Sequence, residues 1–274
     1  MRIALRDDAA QRDGGQRLRR ALLIGGLDPS AGAGIIADAF VAARLGFAPC
    51  CVATTVTAQN SRAFLAAEPV SPGLLRAQLD AIAEDGPIDC VKIGAVASAE
   101  HADVIRGFLL LAKISPVVLD PVLASTSGGA LFAGEPSDLF ALAARCDLVT
   151  PNQQEAAAML GRGIASPAEA QQACLELAAA LHTRVLITGV RLDASLSADV
   201  LGTPEGVLEV LEHPHFAEIG DPRGTGCAFA TTIALNLCLH AEAGPEAAIR
   251  EAQRVLLERL RLQHSFSCEA PGSR

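Results

Sequence analysis

Short, almost continuously apolar runs alternate with segments of helical periodicity along most of this chain. The runs at residues 21–25 (ALLIG), 116–120 (PVVLD) and 184–188 (RVLIT) contain almost no polar residue, whereas residues 72–84 carry their leucines on one helical face. Strands without polar alternation are buried on both faces, as parallel strands are when helices cover the sheet. The pattern therefore predicts an α/β chain with a mostly parallel central sheet between helical layers.

The remaining predicted elements follow the same alternation. Further strands are expected at 50–56, 89–93 and 146–150, and further helices at 33–45, 100–112, 136–144, 152–160, 167–181, 225–239 and 245–262. Residues 193–220 are β-prone and predict a hairpin. We expect one domain over residues 21–264, with flexible ends at 1–20 and 265–274.

The composition excludes several classes of partner. With 22 basic and 31 acidic residues the net charge is −9, which disfavours a general nucleic-acid binder. No run of about 18 apolar residues occurs, so we expect no membrane span. The eight cysteines include no C-x-x-C pair and no secretory signal is visible, which predicts free thiols in the cytoplasm. The acidic balance does not argue against a nucleotide site, which backbone N–H groups and one metal ion can form.

Polar residues and glycines follow several of the predicted strands. These residues are Asp28, Gln59, Gly94, Asp120, Asn152 and Gly189. In open parallel sheets, ligands bind outside the carboxyl ends of the strands. We therefore expect these residues to converge on one edge of the sheet.

The most informative single motif is Gly224-Thr225-Gly226-Cys227, which opens the apolar helical segment AFATTIALNLCLH. Glycines before a helix let backbone N–H groups turn toward an anion, and the helix dipole adds positive potential there. Cys227 falls in the first turn, where a thiol pKa is expected to be lowered and a thiolate could take a proton from an alcohol. A loop followed by a buried structural cysteine is the alternative.

A second glycine-rich segment, residues 25–34 (GGLDPSAGAG), lies between the first strand and the first helix. It lacks G-x-G-x-x-G in the frame that dinucleotide binding requires, and no Walker A G-K-[ST] occurs in the chain. The segment therefore predicts either a flexible loop or an unusual phosphate- or substrate-binding loop.

Asp120 ends a predicted strand, and Asn152 and Glu155 lie three residues apart at a predicted helix start. A carboxylate and an amide at a strand edge hold Mg²⁺ through water and nucleotide phosphates. The spacing of Asn152 and Glu155 also fits a helix N-cap with its capping-box partner, and the sequence leaves both interpretations open.

Residues 57–61 (TAQNS) place Gln59 at a strand end, where its amide offers a donor and an acceptor to a heterocycle. A polar turn fits the same residues. None of the six histidines has metal-ligand spacing, and His213 and His215 are predicted to be surface residues of a loop.

The order of the motifs is more specific than any one of them. The motifs GGLDPSAGAGIIAD, TVTAQNS, VKIG, VVLDPVLASTSGG, LVTPNQQEA, VLITG and GTGC follow one another over residues 21–262. In this order they resemble the hydroxymethylpyrimidine/phosphomethylpyrimidine kinase family. The resemblance implies a ribokinase-like three-layer α/β/α fold that uses ATP and Mg²⁺. It also implies phosphorylation of a pyrimidine alcohol or its monophosphate in thiamine biosynthesis, by a chain that forms a homodimer as family members often do.

The resemblance also implies three groups of site residues. Gly26, Asp38, Thr57 and Gln59 correspond to the substrate pocket. Gly224, Thr225 and Gly226 correspond to an anion hole, with Cys227 as the catalytic base. Asn152, Glu155, Thr188, Gly189, Asp221 and Arg223 correspond to the nucleotide side, with Asp120 and Glu155 as metal ligands.

Four positions depart from the family pattern. Ile36 replaces a glutamine, and Thr126 replaces the lysine before Ser-Gly. Val190 replaces the last glycine of the family's Lys/Thr-Gly-Gly segment, and Arg223 replaces the histidine before GTGC. The missing lysine removes a point charge near the phosphates. We expect Arg223 to replace that charge, so that Arg223→Ala lowers turnover more than it weakens ATP binding.

Two alternative functions fit the same scaffold. A pyridoxine/pyridoxal kinase shares the scaffold and the cysteine base, and Ile36 weakens the preference for a pyrimidine. The missing lysine suggests a catalytically weak paralogue that binds a vitamin precursor, whereas the intact GTGC motif argues against that alternative.

Overall fold

The computed structural model describes residues 17–125, 129–215 and 224–268. Within these residues the strands are β1 (Arg20–Leu27), β2 (Ala48–Gln59), β3 (Phe64–Pro69), β4 (Cys90–Ile93), β5 (Val117–Leu119), β6 (Leu148–Val149), β7 (Arg184–Arg191), β8 (Leu196–Gly202) and β9 (Leu208–Pro214). The helices are α1 (Gly34–Arg44), α2 (Pro72–Glu84), α3 (Ala99–Ala112), α4 (Phe140–Ala143), α5 (Gln153–Leu160), α6 (Pro167–Leu181), α7 (Thr225–Leu239) and α8 (Gly244–Cys268).

The strands form one sheet in the order β3-β2-β1-β4-β5-β6-β7-β8-β9. Neighbours from β2 to β7 are parallel, and β3, β8 and β9 pair antiparallel at the two ends. Because β2 and β4 lie on opposite sides of β1, the strand order reverses beside β1. Ligand crevices in open α/β sheets form at such a reversal.

Helices cover both faces of the sheet, because successive strand residues point to opposite sides. Leu22 and Ile24 of β1 pack in one cluster with residues of α2, α3, α4, α5 and α6. Ala21 and Leu23 point the other way and pack against α1 and α7. The predicted three-layer α/β/α architecture is therefore confirmed.

Strand β3 is absent from the sequence prediction. Its sequence, Phe64–Pro69 (FLAAEP), has no β-branched residue and ends in proline, which gives a weak strand signal. The strand forms because it pairs with the far half of β2, which extends to Gln59. The Asn60 carboxamide oxygen accepts from the N–H groups of Arg62 (2.8 Å) and Ala63 (3.0 Å) in the turn between them.

The other elements differ from prediction mainly at their ends. The expected hairpin exists as β8 and β9, which extend the main sheet from β7. The predicted helix 136–144 is a short 3₁₀ turn followed by α4, and α8 continues to Cys268 beyond the predicted end at 262. None of the described helices is long and apolar enough to cross a bilayer.

Candidate active site

A cavity of about 1040 Å³ opens at the carboxyl ends of the parallel strands. It is lined by all six residues predicted to follow strands, namely Asp28, Gln59, Gly94, Asp120, Asn152 and Gly189. The described residues implied by the family resemblance also line it: Gly26, Asp38, Thr57, Glu155, Thr188, Gly224, Thr225, Gly226 and Cys227. Asp221, Arg223 and Thr126 lie outside the described residues.

The two glycine-rich segments meet backbone to backbone. Gly224 has a φ of +77°, and a Cβ there would collide with the carbonyl oxygen of Gly32 and lie 3.1 Å from the Ala33 Cα. Gly34 has a φ of +63°, and its Cβ would collide with the carbonyl oxygen of Gly26. Both positions therefore require glycine, for conformation and for space. The segments that look independent in sequence build one wall of the cavity.

Asp28 holds the first of these segments in shape. One carboxylate oxygen accepts from the backbone N–H (2.9 Å) and the hydroxyl (2.7 Å) of Ser30, and the other accepts from the Ala33 N–H at 3.1 Å. The Asp28 side chain is buried. These hydrogen bonds fix the conformation of residues 28–33, which favours the interpretation as a phosphate- or substrate-binding loop.

Helix α7 begins at the cavity with a backbone that suits an anion. Among the described residues, no side chain caps the helix at Gly224. The first N–H groups of an α-helix have no partner within the helix, and the helix dipole places partial positive charge beside them. Because Gly224 to Cys227 line the cavity, this end of α7 suits a phosphoryl group.

Cys227 does not have the lowered thiol pKa that its first-turn position predicts. Burial raises the pKa of Cys227, Lys92 lowers it, and nearby Asp120 and Asp38 raise it, so that the pKa is about 12. The helix terminus acts on a thiol that is partly buried in the cavity wall beside two carboxylates. In the unliganded protein Cys227 is therefore a protonated thiol at neutral pH.

Lys92 is the charged residue at the centre of the site that sequence reasoning missed. It lies in β4 with 1% of its side chain exposed, and its Nζ is 2.9 Å from an Asp38 oxygen and 3.9 Å from an Asp120 oxygen. Burial lowers the pKa of Lys92, but the charges of Asp38, a Cys227 thiolate and Asp120 raise it above its ordinary value. The sequence signal that could have identified Lys92 is its position inside an apolar strand, in a chain that contains only two lysines.

Asp38 supports Lys92 from helix α1. One Asp38 carboxylate oxygen accepts from Lys92 and the other from the Thr231 hydroxyl at 2.9 Å. The Asp38 side chain is completely buried, so its two oxygens serve contacts within the protein. This geometry favours a positioning role for Asp38 over the predicted direct contact with a substrate. Sequence order could not reveal the difference, because Asp38, Lys92 and Thr231 belong to separate elements.

Thr57 and Gln59 present an oriented amide to the cavity from the end of β2. The Thr57 hydroxyl donates to the Leu27 carbonyl at 2.9 Å, which ties β2 to β1. The Gln59 Nε2 donates to the same hydroxyl oxygen at 2.8 Å. The orientation of the Gln59 amide is therefore set by its neighbour, as recognition of a heterocycle requires.

Asp120 and Glu155 fit a divalent cation that is shared with a ligand. Asp120 Oδ2 is buried without a hydrogen-bond partner in the described part of the chain. Burial raises the pKa of Asp120 to about 6 against the charge of Lys92. Burial and the negative charge of Asp120 together raise the pKa of Glu155 to about 8. The described residues contain no cluster of three or more metal-binding groups. A cation here would need phosphate oxygens and water, as Mg²⁺ commonly does.

Asn152 acts as a helix cap. Its side-chain oxygen accepts from the N–H groups of Gln154 and Glu155 at 2.9 Å, and Glu155 accepts from the Asn152 N–H at 2.9 Å. The capping box that the sequence left open is therefore present. Asn152 also bridges to Thr188 of β7, which brings the two predicted nucleotide-side residues together at the cavity.

The sequence of this chain is similar to those of known kinases. The family model described as phosphomethylpyrimidine kinase matches residues 28–270. The chain belongs to the phosphomethylpyrimidine kinase family. A hydroxymethylpyrimidine/phosphomethylpyrimidine kinase of Escherichia coli is 36% identical over 222 residues, which cover 78% of this chain and 81% of the relative.

Solved structures agree with this membership of the phosphomethylpyrimidine kinase family. The phosphomethylpyrimidine kinase of Clostridium difficile superposes with a TM-score of 0.73 at 28% identity, covering 88% of this chain and 99% of the other. The pyridoxal kinase of Bacillus subtilis, solved as an ADP complex, gives a TM-score of 0.72 at 25% identity over 86% and 89% of the chains. The predictions of a ribokinase-like fold and of a small-molecule kinase are confirmed.

The far end of the cavity in this phosphomethylpyrimidine kinase family member includes Asp199 and Gln253, which the sequence analysis did not single out. Asp199 of β8 accepts from the Gly189 N–H (2.9 Å) and from Gln253 of α8 (2.8 Å). His213 Nε2 lies 3.6 Å from the same carboxylate, with 12% of its side chain exposed. The prediction that His213 and His215 are surface residues of a loop is wrong for His213, which belongs to β9 and lines the cavity.

Proposed function

We propose that this chain transfers the γ-phosphoryl group of ATP to 4-amino-5-hydroxymethyl-2-methylpyrimidine, its monophosphate, or both, in thiamine biosynthesis. The names of its relatives support this acceptor, since the Escherichia coli protein is a hydroxymethylpyrimidine/phosphomethylpyrimidine kinase. One observation carries the proposal. The Cys227 thiol, the start of helix α7 and the Asp120 carboxylate meet in one cavity at the carboxyl ends of the strands.

The acceptor would lie against Gly26, with its ring edge on the Gln59 amide that Thr57 orients. Gly26 has no side chain, and a Cβ there would lie 3.2 Å from Thr55, so this wall of the pocket stays flat. Asp38 would act on the pocket through Lys92, which it holds at 2.9 Å.

Cys227 would accept the proton of the acceptor hydroxyl as that oxygen bonds to phosphorus. Only the thiolate can accept this proton, and burial, which raises the pKa of Cys227 to about 12, opposes the thiolate in the unliganded protein. Lys92 lowers that pKa and so stabilises the thiolate. The N–H groups at the start of α7 would stabilise the charge on the transferred group, as oxyanion-hole donors do.

Asp120 and Glu155 would hold Mg²⁺, which when bound neutralises charge between the nucleotide phosphates. The nucleotide would extend over Asn152, Thr188 and Gly189, which line the cavity. The family resemblance assigns Asp221 and Arg223, which lie outside the described residues, to the nucleotide as well. We expect Arg223→Ala to lower turnover while ATP binding stays nearly unchanged.

The test is ATP consumption with Mg²⁺ and hydroxymethylpyrimidine, its monophosphate, pyridoxal or no acceptor, with products identified by mass. We expect phosphorylated pyrimidine, and at least a hundredfold lower kcat in Cys227→Ala, since general-base catalysis contributes about 10²–10⁴-fold. Cys51→Ala is the matched control, because Cys51 lies outside the cavity lining. Tight pyrimidine binding without any phosphorylated product would instead indicate the precursor-binding paralogue.

A pyridoxal kinase is the second candidate, and one observation favours it. The fold superposes on the Bacillus subtilis pyridoxal kinase about as well as on the Clostridium difficile phosphomethylpyrimidine kinase, with TM-scores of 0.72 and 0.73. Turnover of pyridoxal alone in the same assay would establish this candidate and exclude the first.

The proposal includes action in the cytoplasm as a homodimer. The seven cysteines whose side chains the structure describes are free thiols, which fits a reducing compartment. Sedimentation equilibrium of the purified chain tests the dimer, since a monomer mass at micromolar concentration would contradict it.

A further inference from the structure

Two cysteines lie close together at the edge of the sheet opposite the cavity. Cys90 is the first residue of β4, and Cys238 is the next-to-last residue of α7. Helix α7 is 15 residues long, so its two ends are roughly 22 Å apart. Neither cysteine lines the cavity, and the proposed phosphoryl transfer uses neither of them.

Cys90 belongs to a buried cluster, and Cys238 packs against that cluster where α7 lies on the sheet. The Cys238 Sγ also lies 3.5 Å from the carbonyl oxygen of Asp89, the residue before Cys90. Cys90 packs with Leu235 in the cluster that Cys238 flanks. A covalent bond between the two sulfurs would therefore join elements that are already in contact.

Exposure and charge distinguish the roles of the two thiols. Cys90 is 1% exposed, whereas Cys238 is only partly buried and so is accessible to a small oxidant. The neighbouring Cys90 thiol lowers the pKa of Cys238, Arg19 and Arg17 act in the same direction, and burial and Asp89 oppose them, so that the pKa is about 7. The neighbouring Cys238 and burial raise the pKa of Cys90. Cys238 is thus the nucleophile and Cys90 the thiol behind it.

The other described cysteines lack this combination. Cys51 is exposed, but burial of its thiol and nearby Asp38 raise its pKa to about 11. Cys146 and Cys174 are buried, and burial raises the pKa of each. Only a thiol that is both ionised and accessible reacts readily with an oxidant.

We propose that Cys90 and Cys238 are an oxidisable dithiol that forms an intramolecular disulfide with hydroperoxides. The Cys238 thiolate attacks one peroxide oxygen, the O–O bond breaks, and a sulfenic acid and hydroxide result. The Cys90 sulfur then attacks the sulfenic sulfur, its proton leaves with the hydroxyl group as water, and the disulfide forms. In total two thiols are oxidised, one peroxide is reduced, and two waters leave when hydrogen peroxide is the oxidant.

The test uses the reduced full chain, one equivalent of hydrogen peroxide at pH 7.5, N-ethylmaleimide in denaturant, and peptide mapping without reduction. We expect a linked peptide pair containing Cys90 and Cys238, two hydrogens lighter than the separate peptides, which reduction dissociates. Cys51→Ser should retain the link and Cys238→Ser should lose it. Cys238 recovered as a sulfinic acid, as a maleimide adduct or bonded to another cysteine would overturn the proposal.

A second measurement needs no variant. At pH 7 iodoacetamide should label Cys238 roughly fiftyfold faster than Cys51, because a larger thiolate fraction outweighs a lower intrinsic nucleophilicity. Equal labelling rates would show that Cys238 is not a reactive thiolate and would overturn the proposal. The kinase assay is independent of both measurements, so loss of the proposed function and loss of this site are distinguishable.

Discussion

Replacing Lys92 with methionine should lower the free energy of unfolding by about 3–5 kcal/mol, the cost of removing one partner from a buried ion pair. The Lys92 ammonium lies 2.9 Å from Asp38 and 3.9 Å from Asp120. Asp38 is 0% and Asp120 6% exposed, so neither carboxylate regains water when the cation is lost. Methionine is apolar and of similar length, so the change removes charge more than it removes packing.

Urea unfolding at pH 8 and pH 5 measures the loss. With a slope of about 3 kcal/mol per molar, the midpoint at pH 8 should fall by roughly 1 M or more. Burial already raises the pKa of Asp120 to about 6 although Lys92 lowers it, so loss of Lys92 raises the folded-state pKa of Asp120 further above its unfolded value. Stability is then lost as the pH rises and regained as Asp120 protonates, so the loss should be smaller at pH 5.

The matched control is Lys113→Met, because Lys113 is the only other lysine and is exposed at the end of α3. We expect that variant to stay within about 0.5 kcal/mol of the parent. A loss below about 1 kcal/mol for Lys92→Met at pH 8, or the same loss at both pH values, would refute the assignment of Lys92 as the cation that neutralises this site.

Three further predictions test single features. Gly224→Ala should destabilise the chain by at least about 1 kcal/mol in thermal unfolding, because its φ is +77° and a Cβ would collide with Gly32. Gly226→Ala should be tolerated, since no atom lies within 4 Å of a Cβ at that position. Equal unfolding midpoints for the two variants would contradict this prediction. Asn152→Ala should cost about 1 kcal/mol and Asn152→Ser much less, since serine also caps helices; equal losses would contradict the capping role. Burial lowers the pKa of His213, but Asp199 raises it overall, so its stabilising contribution is present below about pH 6.5 and lost as the pH rises through the folded-state value. The loss of stability in His213→Gln should therefore be larger at pH 5.5 than at pH 8.5, and the reverse order would contradict the pairing.

The sequence by itself determined the layers of the fold and the edge of the sheet that carries the site. Apolar runs and helical periodicity are local properties, so they place strands and helices without knowledge of their neighbours. The six polar or glycine residues that follow strands converge because parallel strands share one carboxyl edge. The order of the motifs was enough to indicate the family, which the match over residues 28–270 confirms.

Only the tertiary structure decided what several of these residues do. Asp38 and Lys92 are 54 positions apart, and Thr231 is 193 positions from Asp38, so their contact follows from the packing of α1 and α7 on β4. The raised pKa of Cys227 has the same origin, because burial and two carboxylates outweigh Lys92 there. Strand β3 depends on its partner β2, and the pairing of Asp199 with His213 depends on β8 and β9 lying side by side. Burial and the distance between separate elements set charge and reactivity, and neither quantity is a property of a local sequence pattern.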